Sequence, residues 1–317
     1  MEKELSKLSA FAKYAWFVLV YNLVVIIWGV FLRASHSGDG CGQHWLTCQG
    51  EVVPSAPQLK TVIEFSHRLT TGLSAITVLV LFIWAFRRFT KGDPARLAAA
   101  FSFVFIIIES LIGAGLVLTG NTADNWTPSR PFWAIGHLIN TFLLLAALTL
   151  TCWFSSGKER IDFNVDRKVV LLLLVGVLGI FIVGSSGSLA ALSNMLFPST
   201  SIIEGFAKDF SGTSPMLVRL RISHPIVSVA VGMFLIFLAG WLKRVSSNDR
   251  DVAKWVNILS LLVLVQFASG AATLLLHAPI VMQLVHLFLA DAVWISFILL
   301  SANFLAVPQP DTPIFEE

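Results

Sequence analysis

Four of the seven histidines lie inside long apolar segments, where ionisable side chains are rare: His67, His137, His224 and His286. Such side chains usually face the interior of a helix bundle, where they pair with one another or bind a ligand. Two histidines on facing helices favour bis-histidine ligation of a haem. Zinc is less favoured, because it usually recruits a third or fourth ligand. A hydrogen-bonded contact between helices is the alternative for each single histidine.

Three carboxylates in apolar segments are candidates for moving protons. Glu64 stands three residues before His67, and this spacing puts both side chains on one face of a helix. A carboxylate there can relay protons, stabilise a developing cation or orient a water molecule. A helix N-terminal acid favoured by the macrodipole is the alternative. For Glu109 and Asp291 we expect either a place in a proton path or a buried, protonated, hydrogen-bonding role.

The three cysteines are too few for a disulfide framework. Cys41 and Cys48 lie close together in a polar segment, and a disulfide is expected there if that segment faces an oxidising compartment. Such a bond either staples the loop or takes part in redox chemistry. Cys152 lies in an apolar run and is expected on an apolar helix face. The remaining histidines are expected at the surface: His36, His44 and His277.

The composition shows what kind of fold must position these residues. The chain has 317 residues, of which 56% are hydrophobic and 13% charged, and its mean hydropathy is +0.79. Soluble domains carry about 25% charged residues. The composition therefore excludes disorder, a disulfide-rich miniprotein and an ordinary cytosolic enzyme, and it predicts an all-α integral membrane protein.

Hydropathy predicts eight transmembrane helices of about the 20 residues that span a bilayer. They are expected at about residues 14–33, 62–86, 97–118, 132–154, 168–187, 217–242, 254–276 and 280–304. No small-residue cleavage site follows the first run, so we expect a retained helix and not a signal peptide.

The distribution of basic residues predicts the orientation. By the positive-inside rule, both termini are expected in the cytoplasm and the protein in the cytoplasmic (inner) membrane. The loops 34–61 and 188–216 then face outwards, and all four histidines lie in the outer half of the bilayer. The residues that favour this orientation are Lys3, Lys7, Lys13, Arg87, Arg88, Lys91, Arg96, Lys158, Arg160, Arg167, Lys168, Lys243, Arg244, Arg250 and Lys254.

The two halves of the chain resemble each other. We predict two four-helix bundles, residues 1–155 and 156–317, related as a parallel repeat about an axis along the membrane normal. The matching segments are Ser66-His67 with Ser223-His224, His137-Leu138 with His286-Leu287, and Glu109-Ser110-Leu111-Ile112-Gly113 with Gln266-Phe267-Ala268-Ser269-Gly270. Arg221 stands three residues before His224, at the position that corresponds to Glu64 in the first half. This asymmetry suggests that one half does chemistry and the other holds a cofactor.

Taken together, these segments resemble the haem A synthase family over nearly the whole chain. The resemblance is carried by Gly40-Cys41-Gly42-Gln43-His44-Trp45-Leu46-Thr47-Cys48, Glu64-Phe65-Ser66-His67-Arg68, Gly136-His137, Arg219-Leu220-Arg221-Ile222-Ser223-His224-Pro225 and His286-Leu287-Phe288-Leu289-Ala290-Asp291. It implies an oxidoreductase that converts a methyl group of haem O to a formyl group, giving haem A for terminal oxidases. Water and dioxygen both stay open as the source of oxygen.

The resemblance also implies roles for single residues. His67 and His137 would be axial ligands of the substrate haem, His224 and His286 would hold a haem b, and Glu64 matches a functionally important acid. The implied partners are haem O, membrane lipid, an electron carrier, a haem O synthase and assembly factors of terminal oxidases, and no nucleic acid is expected.

Two features depart from the family pattern. Residues 188–216 lack the cysteine pair that some members carry, so an electron-relay role for that pair cannot apply here. Phe65 stands where a tyrosine is common, so no hydroxyl is required at that position.

Two other functions fit parts of the pattern. A di-haem electron-transfer cytochrome would use the same four histidines, form no product and have no need of Glu64. A transporter is also compatible with parallel repeats, but the polar positions cluster near one face and no predicted helix is broken at its middle.

Overall fold

The computed structural model describes residues 8–157, 160–162, 165–246 and 249–306. Within these ranges the chain forms ten helices, numbered here in chain order: α1 (Ala10–Ala34), α2 (Leu59–Arg88), α3 (Pro94–Leu118), α4 (Arg130–Ser155), α5 (Arg167–Leu196), α6 (Ile202–Phe210), α7 (Met216–Leu220), α8 (Ser223–Val245), α9 (Arg250–Leu275) and α10 (Ile280–Phe304).

Eight helical segments are long and apolar enough to cross a membrane, with α7 and α8 together forming one of them. The predicted all-α, multi-pass membrane fold is thereby confirmed. The orientation stays a prediction, and three of the basic residues that favour it lie outside the described residues: Lys3, Lys7 and Lys158.

Long helices follow from the need to satisfy every backbone polar group inside a bilayer. Their ends are marked by short polar side chains that cap the first N–H groups. Asp93 accepts a hydrogen bond from Ala95 N–H directly before Pro94, and Asp249 caps α9 in the same way. Apolar side chains more than half exposed cover the outer surface, as a lipid-facing surface requires: Phe17, Leu73, Leu111, Leu178, Phe237 and Leu261.

Two helices form the centre of the molecule. Helix α4 is the most enclosed span and α10 the next. In the first half, α1 and α3 each contact α2 and α4. In the second half, α8 contacts α5 and α9, α9 contacts α10, and Gly176 of α5 packs against the ring of Phe297 of α10. The two halves meet where α4 contacts α5 and α10, and where α10 contacts α1. The parallel-repeat relation and the 155/156 boundary stay predictions.

The contact between α4 and α10 is both apolar and hydrogen-bonded. The indole N–H of Trp294 donates to the carbonyl oxygen of Phe142 across 2.7 Å, and the two rings stack with centroids 5.7 Å apart. Because this bond satisfies a buried donor in apolar surroundings, it fixes the two helices against each other.

The predicted loop 188–216 was only partly right. Helix α5 continues to Leu196, since Leu192 and Ser193 are still buried against the bundle. The amphipathic α6 follows, with Ser201 accepting a hydrogen bond from Glu204 N–H at its start. Its apolar side chains Ile203 and Phe210 are largely exposed. Mean hydropathy falls in this region because the helices here carry a polar face, and hydropathy alone does not detect them.

Candidate functional site

All four histidines lie near one end of the bundle. We call it the disulfide end, because Cys41 and Cys48 form a disulfide there. Each histidine is six to eight residues into its span, which is roughly 9–12 Å along the helix at 1.5 Å per residue. The four thus lie at similar distances from the starts of their spans, and their shared depth in a bilayer stays a prediction.

His224 and His286 face each other in the second half. Their ring centroids are 6.3 Å apart and their planes are nearly perpendicular, at 87°. Two imidazoles bound to opposite sides of one metal, with metal–nitrogen bonds of about 2.0 Å, place their centroids about 6.2 Å apart. The spacing of the two rings therefore fits a metal ion between them, as in a bis-histidine haem.

Serine hydroxyls orient both of these rings. Ser186 Oγ lies 3.2 Å from His224 Nδ1, and Ser269 Oγ lies 2.9 Å from His286 Nδ1. A histidine whose Nδ1 is engaged presents Nε2 to a metal. Gln266 Nε2 also lies 3.4 Å from His286 Nε2, a distance at the limit of a hydrogen bond.

Glycines make room for the histidine rings at the helix contacts. A Cβ atom at Gly187 would lie 2.9 Å from His224 Cε1, and one at Gly270 would lie 3.1 Å from His286 Cε1. In the first half, a Cβ at Gly29 would lie 3.0 Å from His67 Cε1. A larger residue at any of the three positions would push the adjacent ring out of place.

His67 and His137 are the intramembrane histidines of the first half, and each has a buried Nδ1 with no hydrogen-bond partner among the described residues. For His137 the atom within reach is Glu109 Oε1, 3.2 Å away, although the ring is not aligned for a hydrogen bond. The His137 side chain is 43% exposed. Because its Nδ1 is buried, this exposure lies on the other atoms of the side chain. Since Nδ1 of His137 lies against a carboxylate, Nε2 is the ring nitrogen left for a metal ion.

The carboxylate of Glu64 is buried and tightly held. Oε1 accepts hydrogen bonds from Arg68 Nε at 3.1 Å and Nη2 at 2.5 Å, and Oε2 accepts one from the Cys41 main-chain N–H at 2.8 Å. Arg68 also donates to the carbonyl oxygens of His44 and Thr47. Glu64 and Arg68 thus bind the loop that carries the disulfide to the start of α2.

The second half has a different arrangement at the matching position. Arg221 is buried and forms an ion pair with Asp209, and it donates further hydrogen bonds to Asn194 and to the carbonyl oxygen of Gly205. This arginine therefore anchors the end of α6, and no carboxylate takes the place of Glu64.

The disulfide loop packs directly on α2. The hydroxyl of Thr61 donates to the carbonyl oxygen of Gly40 at 2.8 Å, and a Cβ at Gly40 would lie 2.4 Å from the backbone of Lys60. Both cysteines of the disulfide are buried. The predicted disulfide is confirmed, and Cys152 is free and buried, as expected.

The other two acids differ from each other in their surroundings. Glu109 accepts hydrogen bonds from Asn140 and Thr141 at 2.6 and 2.5 Å, which fits the hydrogen-bonding role expected for it. The closeness of Glu109 to His137 was not predicted from the sequence. The alignment of Glu109 with Gln266 in the predicted repeat was the signal that could have drawn attention to this position. Asp291 is 1% exposed, and among the described residues neither of its oxygens has a hydrogen-bond partner. The structure does not show the hydrogen-bonding role for Asp291, and a place in a proton path stays a prediction.

The remaining histidines lie at the surface of the disulfide end. His44 and His277 are exposed, and His36 Nδ1 lies 2.5 Å from Asp124 in the next loop. Across the described residues, no three or more His, Cys, Asp or Glu side chains are grouped so as to hold a metal ion. The histidine pairs are therefore the candidate metal ligands of the described part of the chain.

Comparison with known proteins adds to this picture. Residues 12–298 match the family model COX15-CtaA, described as cytochrome oxidase assembly protein. A protoheme IX farnesyltransferase of Thermus thermophilus is 44% identical over 300 residues, which are 94% of this chain and 49% of that protein. The chain thus spans about half the length of this relative.

Two further relatives match over most of their length. The heme A synthase of Alkalihalophilus pseudofirmus is 28% identical over 270 residues, and that of Halalkalibacterium halodurans is 27% identical over 273 residues. Each match covers 83% of this chain and 87% of the relative. Since the family model spans most of the chain, including all four histidines and Glu64, this chain belongs to the COX15-CtaA family of cytochrome oxidase assembly proteins.

Proposed function

We propose that this protein is a haem A synthase, a membrane oxidoreductase that converts a methyl group of haem O to a formyl group and so supplies haem A to terminal oxidases. The observation that carries the proposal is the pair of histidines in each half near one end of the bundle, with the buried Glu64 beside only the first pair. The heme A synthases among its relatives support the same function.

In the first half, His67 and His137 hold the substrate haem. Conversion of a methyl to a formyl group inserts one oxygen atom, from water or dioxygen, and removes protons and electrons from the substrate. The electrons leave to the electron carrier, and a proton acceptor is needed nearby. Glu64 fills this role at Oε2, whose neighbour is the Cys41 N–H. Arg68 keeps Oε1 in place, so that the carboxylate is held on the helix face that carries His67.

In the second half, His224 and His286 hold a haem b, which supplies one-electron transfer when bound. Ser186 and Ser269 keep both imidazoles in the orientation that presents Nε2. The ion pair of Arg221 with Asp209 leaves this half without an acid equivalent to Glu64. The second half therefore carries electrons and does not modify its haem.

The partners follow from the same function. The substrate carries a farnesyl tail, and the Thermus relative of about twice this length is named for a farnesyl transfer to protohaem. This supports a farnesyltransferase as the enzyme that supplies haem O. An electron carrier and assembly factors of a terminal oxidase complete the expected partners, in a cytoplasmic membrane with both termini in the cytoplasm.

Product formation tests the proposal. The chain is expressed with a haem O synthase in a host that lacks haem A, and the membrane haems are extracted and separated with mass detection. We expect haem A or its hydroxylated precursor with the unmodified chain and with His277→Ala, an exposed residue at the same end. His67→Ala and His137→Ala should abolish the product. Unchanged haem O with adequate electron supply would instead favour the di-haem electron-transfer cytochrome.

A further inference from the structure

The two halves differ in what lies behind a histidine of each pair. In the first half, the neighbour of His137 Nδ1 is Glu109 Oε1, on the adjacent helix α3. In the second half, the neighbour of His286 Nδ1 is the uncharged hydroxyl of Ser269. A carboxylate therefore lies behind one histidine and a neutral group behind the other.

The carboxylate of Glu109 is held in place by donors. Asn140 donates to Oε2 at 2.6 Å and Thr141 to Oε1 at 2.5 Å. Both donors lie on α4, within one turn of His137. Because α3 and α4 contact each other closely, Glu109 is fixed against the ring and does not swing into lipid.

The contrast extends through the second half. Gln266, at the position that corresponds to Glu109 in the predicted repeat, approaches Nε2 of His286, so the group behind His286 Nδ1 is the hydroxyl of Ser269. His224 Nδ1 is likewise approached by the hydroxyls of Ser186 and Ser228, at 3.2 and 3.4 Å. The groups found within hydrogen-bond reach of either second-half ring are thus neutral.

A carboxylate behind a metal-bound histidine raises the basicity of that ligand. A more basic ligand and a nearby negative charge both stabilise ferric over ferrous iron, and both effects are stronger in a low-dielectric interior. Hydroxyl and amide partners have a weaker effect, because they carry no net charge.

We propose that Glu109 acts through His137: its carboxylate beside Nδ1 gives the first-half haem a lower reduction potential than the second-half haem. This inference rests on the proposed function, in which each histidine pair binds a haem. The resulting order of potentials favours movement of electrons from the substrate haem towards the second half.

A redox titration followed by visible absorption tests the inference on the purified full-length protein. The protein is produced with a haem O synthase and titrated without oxygen. We expect Glu109→Gln to lower the ferric-to-ferrous ratio of the first-half haem about tenfold at a fixed potential, which is a rise of about 59 mV for one electron. The second-half haem of the same sample should keep its potential.

A variant of the other half gives an independent test. Ser269→Asp places a carboxylate on the Nδ1 side of His286, and we expect it to lower the potential of the second-half haem by a similar amount. Glu204→Gln, an acid in α6 far from both pairs in sequence, should leave both potentials unchanged. If Glu109→Gln fails to retain its haem, the unmodified protein decides: a first-half potential at or above that of the second-half haem overturns the inference.

The outcomes separate the two proposals. Two low-spin haems whose potentials do not move in either variant would overturn the role of Glu109 and leave haem binding intact. An unmodified protein that binds no haem at His67 and His137 would overturn the proposed function, and the role of Glu109 with it. A shift in both variants with opposite signs supports the inference.

Discussion

The main-chain N–H of Cys41 donates a hydrogen bond of 2.8 Å to the buried carboxylate of Glu64, which is 23 residues away in the sequence. One half of a disulfide and the candidate catalytic acid are therefore in direct contact. Arg68 completes the contact by bonding both Glu64 and the carbonyl oxygens of the loop. A change in the disulfide loop is thus expected to reach the acid.

Removing the disulfide should lower both stability and product yield. The double variant Cys41→Ser/Cys48→Ser opens a short loop, with an expected loss of about 2–3 kcal/mol in unfolding free energy. It also loosens the N–H that holds Glu64. Thermal unfolding in detergent and the haem A yield measure the two effects, with Cys152→Ala, a free cysteine, as the control. A full yield from the double variant would show that the loop does not position Glu64.

Glu64→Gln should stop the reaction and spare the haems. Glutamine keeps the shape, and its one oxygen can accept from Cys41 N–H, but its amide group then meets the donors of Arg68 and it cannot take up a proton. We expect the haem A yield to fall by at least about 100-fold at unchanged haem content. Glu51→Gln, an exposed acid of the neighbouring loop, is the matched control. Normal yield from Glu64→Gln would show that Glu64 is a structural acid and not the proton acceptor.

Gly187→Ala should reduce haem binding in the second half. The added methyl group would lie 2.9 Å from His224 Cε1, so the ring must shift out of line with His286. Haem content after extraction, per mole of protein, measures the loss. Gly240→Ala, at a position with open space around it, should keep its haem and stabilise α8 by up to about 1 kcal/mol. Equal haem content in the two variants would contradict the assignment of His224.

Two aspartates should respond in opposite ways to replacement by leucine. Asp291 is buried, and among the described residues neither of its oxygens has a hydrogen-bond partner. Burying an unpaired polar group costs about 1–3 kcal/mol, so Asp291→Leu, a residue of similar shape, should raise the unfolding free energy by up to that amount. Asp209 is paired with the buried Arg221, so Asp209→Leu should lower it by a similar amount. Melting curves of the two variants in the same detergent show the sign, and destabilisation by Asp291→Leu would indicate a partner for that carboxyl.

The sequence predicts the membrane-spanning helices well because each is a long apolar run, and a run of that length has few other stable structures in a bilayer. It fails between residues 188 and 216. In that region the end of α5 and the amphipathic α6 are stabilised as helices by local capping and packing. Capping and packing do not require a long apolar run, so hydropathy does not detect these helices.

The candidate site is predicted in part for a similar reason. Four polar residues in apolar runs stand out by themselves, whereas their neighbours depend on how helices pack. Glu64 and Arg68 have the four-residue spacing that brings two side chains together on one helix face, so their ion pair can be predicted from the sequence. The contact of Glu109 with His137 joins different helices, and the lack of a partner for Asp291 depends on every helix around it.

The packing of α4 against α10 has a consequence for how the two halves can move. Helix α4 carries His137 and α10 carries His286, and the bond from Trp294 to Phe142 ties the two helices together five residues from His137 and eight from His286. A motion that separates these two histidines would have to break a buried hydrogen bond and expose its donor to apolar surroundings. One histidine of each half is therefore carried on a single rigid pair of helices.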